Sequence, residues 1–535
     1  MDGETTRRHF LQGGSLATAG LLASTVAEGA RQDAHKDHAV HGDYPRDRPS
    51  PGGPVGSPTD RGKLVPGNRK AGEPPVPVVT PDLPEKLAWT VVEGAKEFHL
   101  HCRHTKREFL PDLYIDVWGF NGGMPGPTIE VTQGDRVRIV VHNDLPESTG
   151  IHWHGLEIPV AMDGVPGLTQ PPLPPGGVQT FEFTLHQSGT FFYHSHDGMQ
   201  DGMGMVGLFL IHPKVAHDPP VDRDFALVIQ EWAVLPASTV PNTMSMEFNL
   251  FTLNGRAAPY VTPLVAKLGE RVRIRMVNFS GIDHHPMHLH GLTFWVTGTE
   301  GGRIPETAWV PGNTVLVGVA QVREIEFVAN NPGDWMLHCH MFHHVMNFMS
   351  SMVGPMGGHT VQGMRAGQSP TGGMGIATGG TALSDAYGAS LGRSMGEQTG
   401  VERAVGNMSV VRGMSSGGSD MPGMAMPVQP NAPTHGGHGA MGRDASGRRI
   451  PGYPQGMMDM PMELSDAKLK KLTGKRETRG MRRDWYTGVE GLMTVVRVLP
   501  PELYDRVMSG EDEVPPGAST PGGGQGEATP HRHRN

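Results

Sequence analysis

The chain repeats itself, and each copy of the repeat runs into histidines. Pro127-Thr128-Ile129-Glu130-Val131-Thr132-Gln133-Gly134-Asp135-Arg136-Val137-Arg138 parallels Pro263-Leu264-Val265-Ala266-Lys267-Leu268-Gly269-Glu270-Arg271-Val272-Arg273. A histidine cluster follows in each half, and Gly189-Thr190 or Gly333-Asp334 then leads into a second cluster. Such self-similarity means one supersecondary unit used twice. The unit is made of strands. Thr128 to Val131, Arg136 to Val141, Thr180 to Leu185 and Val206 to Ile211 alternate or are β-branched, with Gly, Pro, Asn and Asp between them. Short strands at that spacing form sandwiches or barrels. The same grammar returns from Leu250 to Met349, so the expected fold is all-β with two β-sandwich domains.

The repeat also exposes a gap. In the first half the second cluster is followed at once by Val206-Gly207-Leu208-Phe209-Leu210-Ile211, but no such strand follows Met349. The nearest match is Gly491-Leu492-Met493-Thr494-Val495-Val496-Arg497-Val498-Leu499-Pro500. Residues 352-484 are therefore expected to interrupt the second domain before its last strand. They hold sixteen of the 32 methionines and many glycines. Met421, Met424 and Met426, then Met457, Met458, Met460 and Met462, follow neither a helix nor a strand period. The expected organisation is a first domain over 86-215 and a second over 216-351 plus 485-510. Residues 31-85, rich in Pro, Gly, Asp and Arg, read as a disordered leader in which His35, His38 and His41 recur, and 511-535 as a disordered tail.

Four clusters carry the chemistry: His152-Trp153-His154, His194-Ser195-His196, His285-Pro286-Met287-His288-Leu289-His290, and His338-Cys339-His340 with His344 and Met349 beyond. Imidazole is the commonest metal ligand, and a thiolate beside it suits copper, zinc or iron. On a strand, residues i and i+2 share a face and i+1 takes the other. Each His-x-His thus presents two imidazoles together, and four pairs give eight ligands. In His338-Cys339-His340 the thiolate faces away from both histidines, so one strand touches two metal sites. His285, Cys339 and His344, with Met349 as a weak axial thioether, make the two-His, one-Cys set of a blue-copper electron-transfer site. Zinc suits a lone Cys/His site but has no use for eight further paired histidines. His212, His284 and His343 read as ordinary residues.

These motifs make the sequence similar to the multicopper oxidases over about 87 to 350 plus the strand near 490 to 500. The resemblance implies cupredoxin-like Greek-key sandwiches and four coppers per chain: one type 1, one type 2 and two type 3. It implies that His285, Cys339, His344 and Met349 hold type 1 copper, and that His152 and His288 hold type 2. His154, His194, His196, His290, His338 and His340 would hold the type 3 pair. With Ser195 where a first-domain thiolate would stand, the chain resembles the small two-domain laccases, which implies a homotrimer. Asp163, in Met162-Asp163-Gly164, matches the family's acidic residue that delivers protons near the trinuclear cluster. Its bland reading is an Asp-Gly turn. Two family side chains are missing, since Ile158 stands where small laccases have tyrosine and Val345 follows His344 where some relatives have glutamate. Cys102 has no family role.

The resemblance implies four-electron reduction of O2 to water, with Cys339 passing single electrons towards His338 and His340. The donor stays open between a phenol or aromatic amine and Cu(I), which soft thioethers of the Met-rich segment would select. A copper nitrite reductase would need a Cys in the first domain and lack the type 3 histidines. A copper-sequestering detoxification protein, using the Met/His-rich stretches, is the alternative of another class. A formal net charge of -9 leaves no basic stripe for nucleic acid. Arg7-Arg8-His9-Phe10-Leu11, followed by a mildly apolar run to Ala27, predicts a twin-arginine export signal over 1-30 and a periplasmic or extracellular protein. No later run reaches the roughly 18 apolar residues of a membrane span.

Overall fold

The computed structural model describes residues 64, 67–234, 238–345, 347, 465–510 and 514–519. The export signal, His35, His38, His41, Met349 and the methionines from Met352 to Met462 lie outside the described residues.

The fold is all-β, with two cupredoxin-like sandwiches in sequence. In the first, a five-stranded sheet built on Ala95–Leu110, Arg136–Asn143 and Val178–Thr184 faces a four-stranded sheet of Ile129–Thr132, Ile151–His154, Gly189–Ser195 and Val206–His212. Alternation decides what lies between them. Val137, Ile139 and Val141 point inward from one sheet and meet Trp153, Tyr193 and Phe209 of the other. Cys102 is buried in this core as a free thiol, with no place in the ligand clusters.

The second sandwich repeats the plan. Met493–Leu499 pairs antiparallel with Gly333–Cys339 and parallel with Leu264–Lys267. Val206–His212 does the same with Gly189–Ser195 and Ile129–Thr132. The strand far down the chain thus takes the place that its counterpart fills at once in the first half. The facing sheet has seven strands around Arg223–Trp232, Arg271–Asn278 and Val322–Val328.

The sandwiches pack sheet to sheet. Phe192, Val206, Leu208 and Leu210 from the first meet Ala226, Val228, Val277 and Val322 from the second. Strands covered on both faces read as unbroken apolar runs, which explains Val206-Gly207-Leu208-Phe209-Leu210-Ile211. The contact is also polar. Arg271, Arg273 and Arg275 alternate with core residues on one strand and meet Asp224, Glu324 and Glu326, all buried. Thr190 of the first sandwich donates to Glu324 at 2.7 Å.

The leader and tail, expected to be disordered, and the end of the insertion, whose order the sequence left open, are packed in part. Val78 is buried and Val79 bridges to Phe225, so the leader's last residues belong to the fold. The helix Asp466–Thr473, placed in the insertion from sequence, buries Leu472 beside Phe109 and Tyr260. Ser519, in the expected tail, donates to Asp334 at 2.6 Å. Each stretch is polar enough to look like a spacer, yet supplies buried or hydrogen-bonded residues to the fold, among them Leu64, Asp82 and Lys475. Among the described residues no helix is long and apolar enough to cross a membrane.

Candidate copper centres

Antiparallel strand pairs deliver the histidines. In the first sandwich His152 lies directly opposite His194; in the second His288 lies opposite His338. The two sets are built alike. His152 Nδ1 donates to the Asp163 carbonyl at 2.8 Å, and His288 Nδ1 to that of Asn313 at 2.7 Å. His194 Nδ1 donates to the Ser195 carbonyl at 2.5 Å and His338 Nδ1 to the Cys339 carbonyl at 2.8 Å. A carbonyl on one ring nitrogen fixes tautomer and orientation and frees the other nitrogen for a metal. Within each set, free nitrogens converge. His154 Nδ1 is 3.4 Å from His194 Nε2, and His290 Nε2 is 3.1 Å from His338 Nε2. Two nitrogens on one ion about 2.0–2.1 Å away would be separated by roughly 2.9–3.4 Å, so the spacing fits.

Burial favours the neutral, ligating form in four of these rings. It lowers His154 to about 4, with His194 and His152 adding to the effect, and it lowers His152, His290 and His338 as well. His196 and His340 complete the sets from exposed positions at their rims, their rings 5.6 Å and 5.8 Å from His152 and His288. Among the described residues no ring contact joins a histidine of the first set to one of the second.

The third centre lies on the other side of the same strand. Cys339 Sγ is 3.5 Å from His344 Nδ1 and 3.7 Å from His285 Nδ1, which are 3.2 Å from each other. A trigonal ion with ordinary bond lengths would set roughly 3.8 Å between nitrogen and sulfur and 3.5 Å between nitrogens. All three residues are buried. Burial lowers His285 to about 3, with His344 adding, and pushes the Cys339 thiol up to about 12. The thiolate therefore needs a cation beside it. Met349 is not among the described residues, so an axial thioether is not placed.

Residues invisible in the motifs support this centre. Ser280 Oγ lies 2.7 Å from His285 Nε2, and Asp283 Oδ2 lies 3.2 Å from His344 Nε2. Buried Glu231 accepts from the Ile282 and Asp283 amides at 2.7 Å and 3.1 Å, and burial raises its pKa. Asp283 was findable as an acid two residues before His285; nothing in the sequence ties Glu231 to it. Asp163 holds His152 through its carbonyl, while its carboxylate stands 3.5 Å from the same ring nitrogen. Of the residues set aside as ordinary, His212 pairs with Glu130 and His284 accepts from the Val319 amide.

Multicopper oxidase family models match residues 102–216 and 234–354, one on each sandwich. The chain is 35% identical over 136 residues to copper resistance protein A of Pseudomonas syringae pv. tomato, covering 25% of this chain and 22% of that protein. It is 42% identical over 223 residues to laccase-1 of Cryptococcus neoformans var. grubii serotype A, covering 35% and 36%. The first of these matches thus spans about a quarter of the relative's length. Among solved structures it resembles the blue copper oxidase from Nitrosomonas europaea, with a TM-score of 0.44, 28% identity, and coverage of 48% of this chain and 82% of that one. With one family match on each sandwich and a ligand set anchored the same way twice, the chain belongs to the multicopper oxidases, in their two-domain form.

Proposed function

We propose that this chain is a copper-dependent oxidase that takes electrons singly from a small reducing donor and reduces O2 to water. The observation that carries this is the placing of His338 and Cys339. They are neighbours on one strand, each turned into a different ligand set, so the backbone is a short covalent route between two centres. Copper bound there supplies the one-electron chemistry. His285, Cys339 and His344, with Met349, would hold type 1 copper. His152 and His288 would hold type 2, and His154, His194, His196, His290, His338 and His340 the type 3 pair, four coppers in all. By the same family resemblance Asp163, whose carboxylate stands 3.5 Å from His152 Nδ1, would be the acid that holds and passes protons.

The histidine sets of the two sandwiches are separate in one chain, and His196, His290 and His340 are exposed. A homotrimer in which each first-sandwich set meets the second-sandwich set of a neighbouring copy would complete the cluster. The Arg7-Arg8 motif supports export to the periplasm or beyond.

A phenol or aromatic amine is one donor class, and similarity to a laccase supports it. Cu(I) is another, supported by the Met-rich segment and by similarity to copper resistance protein A. Asp283 favours a further reading, in which the donor is a divalent reducing cation such as Fe(II) or Mn(II), drawn to the part-exposed carboxylate beside His344. The rival of another class remains a copper-sequestering protein. Copper content, absorption spectrum, molar mass in solution and O2 uptake with a phenol, Cu(I) and Fe(II) test the reading. Expected are about four coppers, a blue band, a trimer and O2 uptake. Fully copper-loaded protein that consumes no O2 with any donor would overturn the oxidase and favour sequestration. Deleting 356 to 462, which spares the packed helix Asp466–Thr473, tests the Met-rich segment: Cu(I) oxidation surviving undiminished removes its role.

A further inference from the structure

His99 and His101 belong to none of the copper sets. They lie on Ala95–Leu110, whose Phe98, Leu100 and Cys102 fill the first sandwich's core while the alternate positions face outward. The adjacent parallel strand Arg136–Asn143 brings His142 into register with His101. The result is a histidine triad on the outer face of the five-stranded sheet. His99 Nδ1 lies 3.1 Å from His142 Nε2, the separation expected of two nitrogens on one ion. The His101 ring lies parallel to that of His142, with centroids 4.3 Å apart and 6° between planes.

Each outer histidine is oriented by a carboxylate on its far nitrogen. His99 Nε2 is 3.2 Å from Glu97, which leaves Nδ1 for a ligand. His101 Nδ1 is 3.2 Å from Asp144, which leaves Nε2. A carboxylate behind the imidazole is the support that metal-ligating histidines have. The carboxylates are themselves held in place, Glu97 by Arg138 at 3.4 Å and Asp144 by Arg103 at 2.7 Å. Approach is open: His99 is half exposed, and a cavity of about 280 Å³ lined by Trp89, Glu97, His99 and Asn121 adjoins it.

We propose that His99 and His142, with His101 beside them, bind a divalent transition-metal ion on the outer face of the first sandwich, apart from the oxidase coppers. The ligands are borderline nitrogens, so the site takes Zn(II) or Ni(II) and takes Cu(II) more tightly. The test titrates full-length, copper-loaded protein with Zn(II), which does not change oxidation state. Wild type should bind one more equivalent than the His99→Ala/His142→Ala variant, with the copper content of the two equal. Glu97→Gln should keep the stoichiometry and weaken this equivalent about 10–100-fold. His104→Ala, altering an exposed histidine paired with Asp116 on the same strand, should change nothing. Equal zinc stoichiometry and affinity in wild type and the double variant would overturn the proposal, as would loss of the same equivalent in His104→Ala.

Discussion

Ser195 stands in the first sandwich where Cys339 stands in the second. Each follows the histidine that faces its partner across the strand pair, and their amides bond to Met205 and Leu492, which precede the equivalent last strands. The likeness extends to the residues gathered around Cys339: Thr149 and Gln200 occupy the places of His285 and His344. Where the second sandwich gathers two imidazoles and a thiol, the first gathers hydroxyls and an amide. Thr149 and Ser195 donate to Gln200 Oε1 at 2.7 Å and 2.8 Å, all three buried. The duplicated unit thus keeps the pocket but satisfies it with internal hydrogen bonds.

It follows that Ser195→Cys adds a thiol without adding a centre. With Thr149 and Gln200 in place there is no imidazole to share an ion, and the copper count and blue absorption should equal those of wild type. Copper analysis and the visible spectrum check this, and a second blue band would refute it.

Cys339→Ser should act on one centre alone. His338 is anchored by the carbonyl of residue 339, not by its side chain, so serine keeps that anchor. Expected are loss of the blue band, copper content lower by one per chain, and donor oxidation reduced to background. Loss of all copper would show instead that the histidine sets depend on the thiol.

Asp283→Asn separates the donor classes. Asp283 is about a third exposed and lies against His344, so a cationic donor reaching that imidazole meets the carboxylate first. With the amide, KM for Fe(II) or Mn(II) should rise by about 10-fold or more, by analogy with losing a metal-orienting partner. KM for a neutral phenol should move much less. Equal changes for both donors would assign Asp283 to holding His344 only.

The histidine clusters and the missing last strand were legible because each rests on local pattern: period-2 spacing in one case, an unmatched repeat in the other. The remainder depended on long-range contacts. Glu231 reaches the Cys339, His285 and His344 cluster only because Arg223–Trp232 lies beside Arg271–Asn278, which no spacing announces. Ser280 and Asp283 look like loop residues until His285 and His344 turn their far nitrogens to them. The edges failed for a related reason. Val78, Leu472 and Ser519 sit in polar stretches with no period of their own, and scattered long-range contacts fix them. His99, His101 and His142 lie on two strands 43 residues apart at most, and only the sheet register makes them one cluster.

Glu326 anchors the buried arginines of the second sandwich and should set the acid limit of stability. It is fully buried among Arg271, Arg273 and Arg303. Burial pushes its carboxyl up, but Arg273, Arg303 and Arg271 outweigh this and hold it well below the ordinary value of 4.5. A carboxyl whose folded pKa is depressed contributes stability in full above its unfolded value, and loses it as pH falls through the folded one. Wild-type stability should therefore decline from about pH 5 downward. Glu326→Ala leaves buried guanidinium groups short of a partner and should cost about 3–5 kcal/mol near neutrality. The cost should shrink in acid, where wild type loses the same charge. Denaturant unfolding of both proteins at equal copper loading, followed from pH 7 to 3, measures the difference directly. A gap that stays constant across that range would mean that Glu326 contributes packing and not charge.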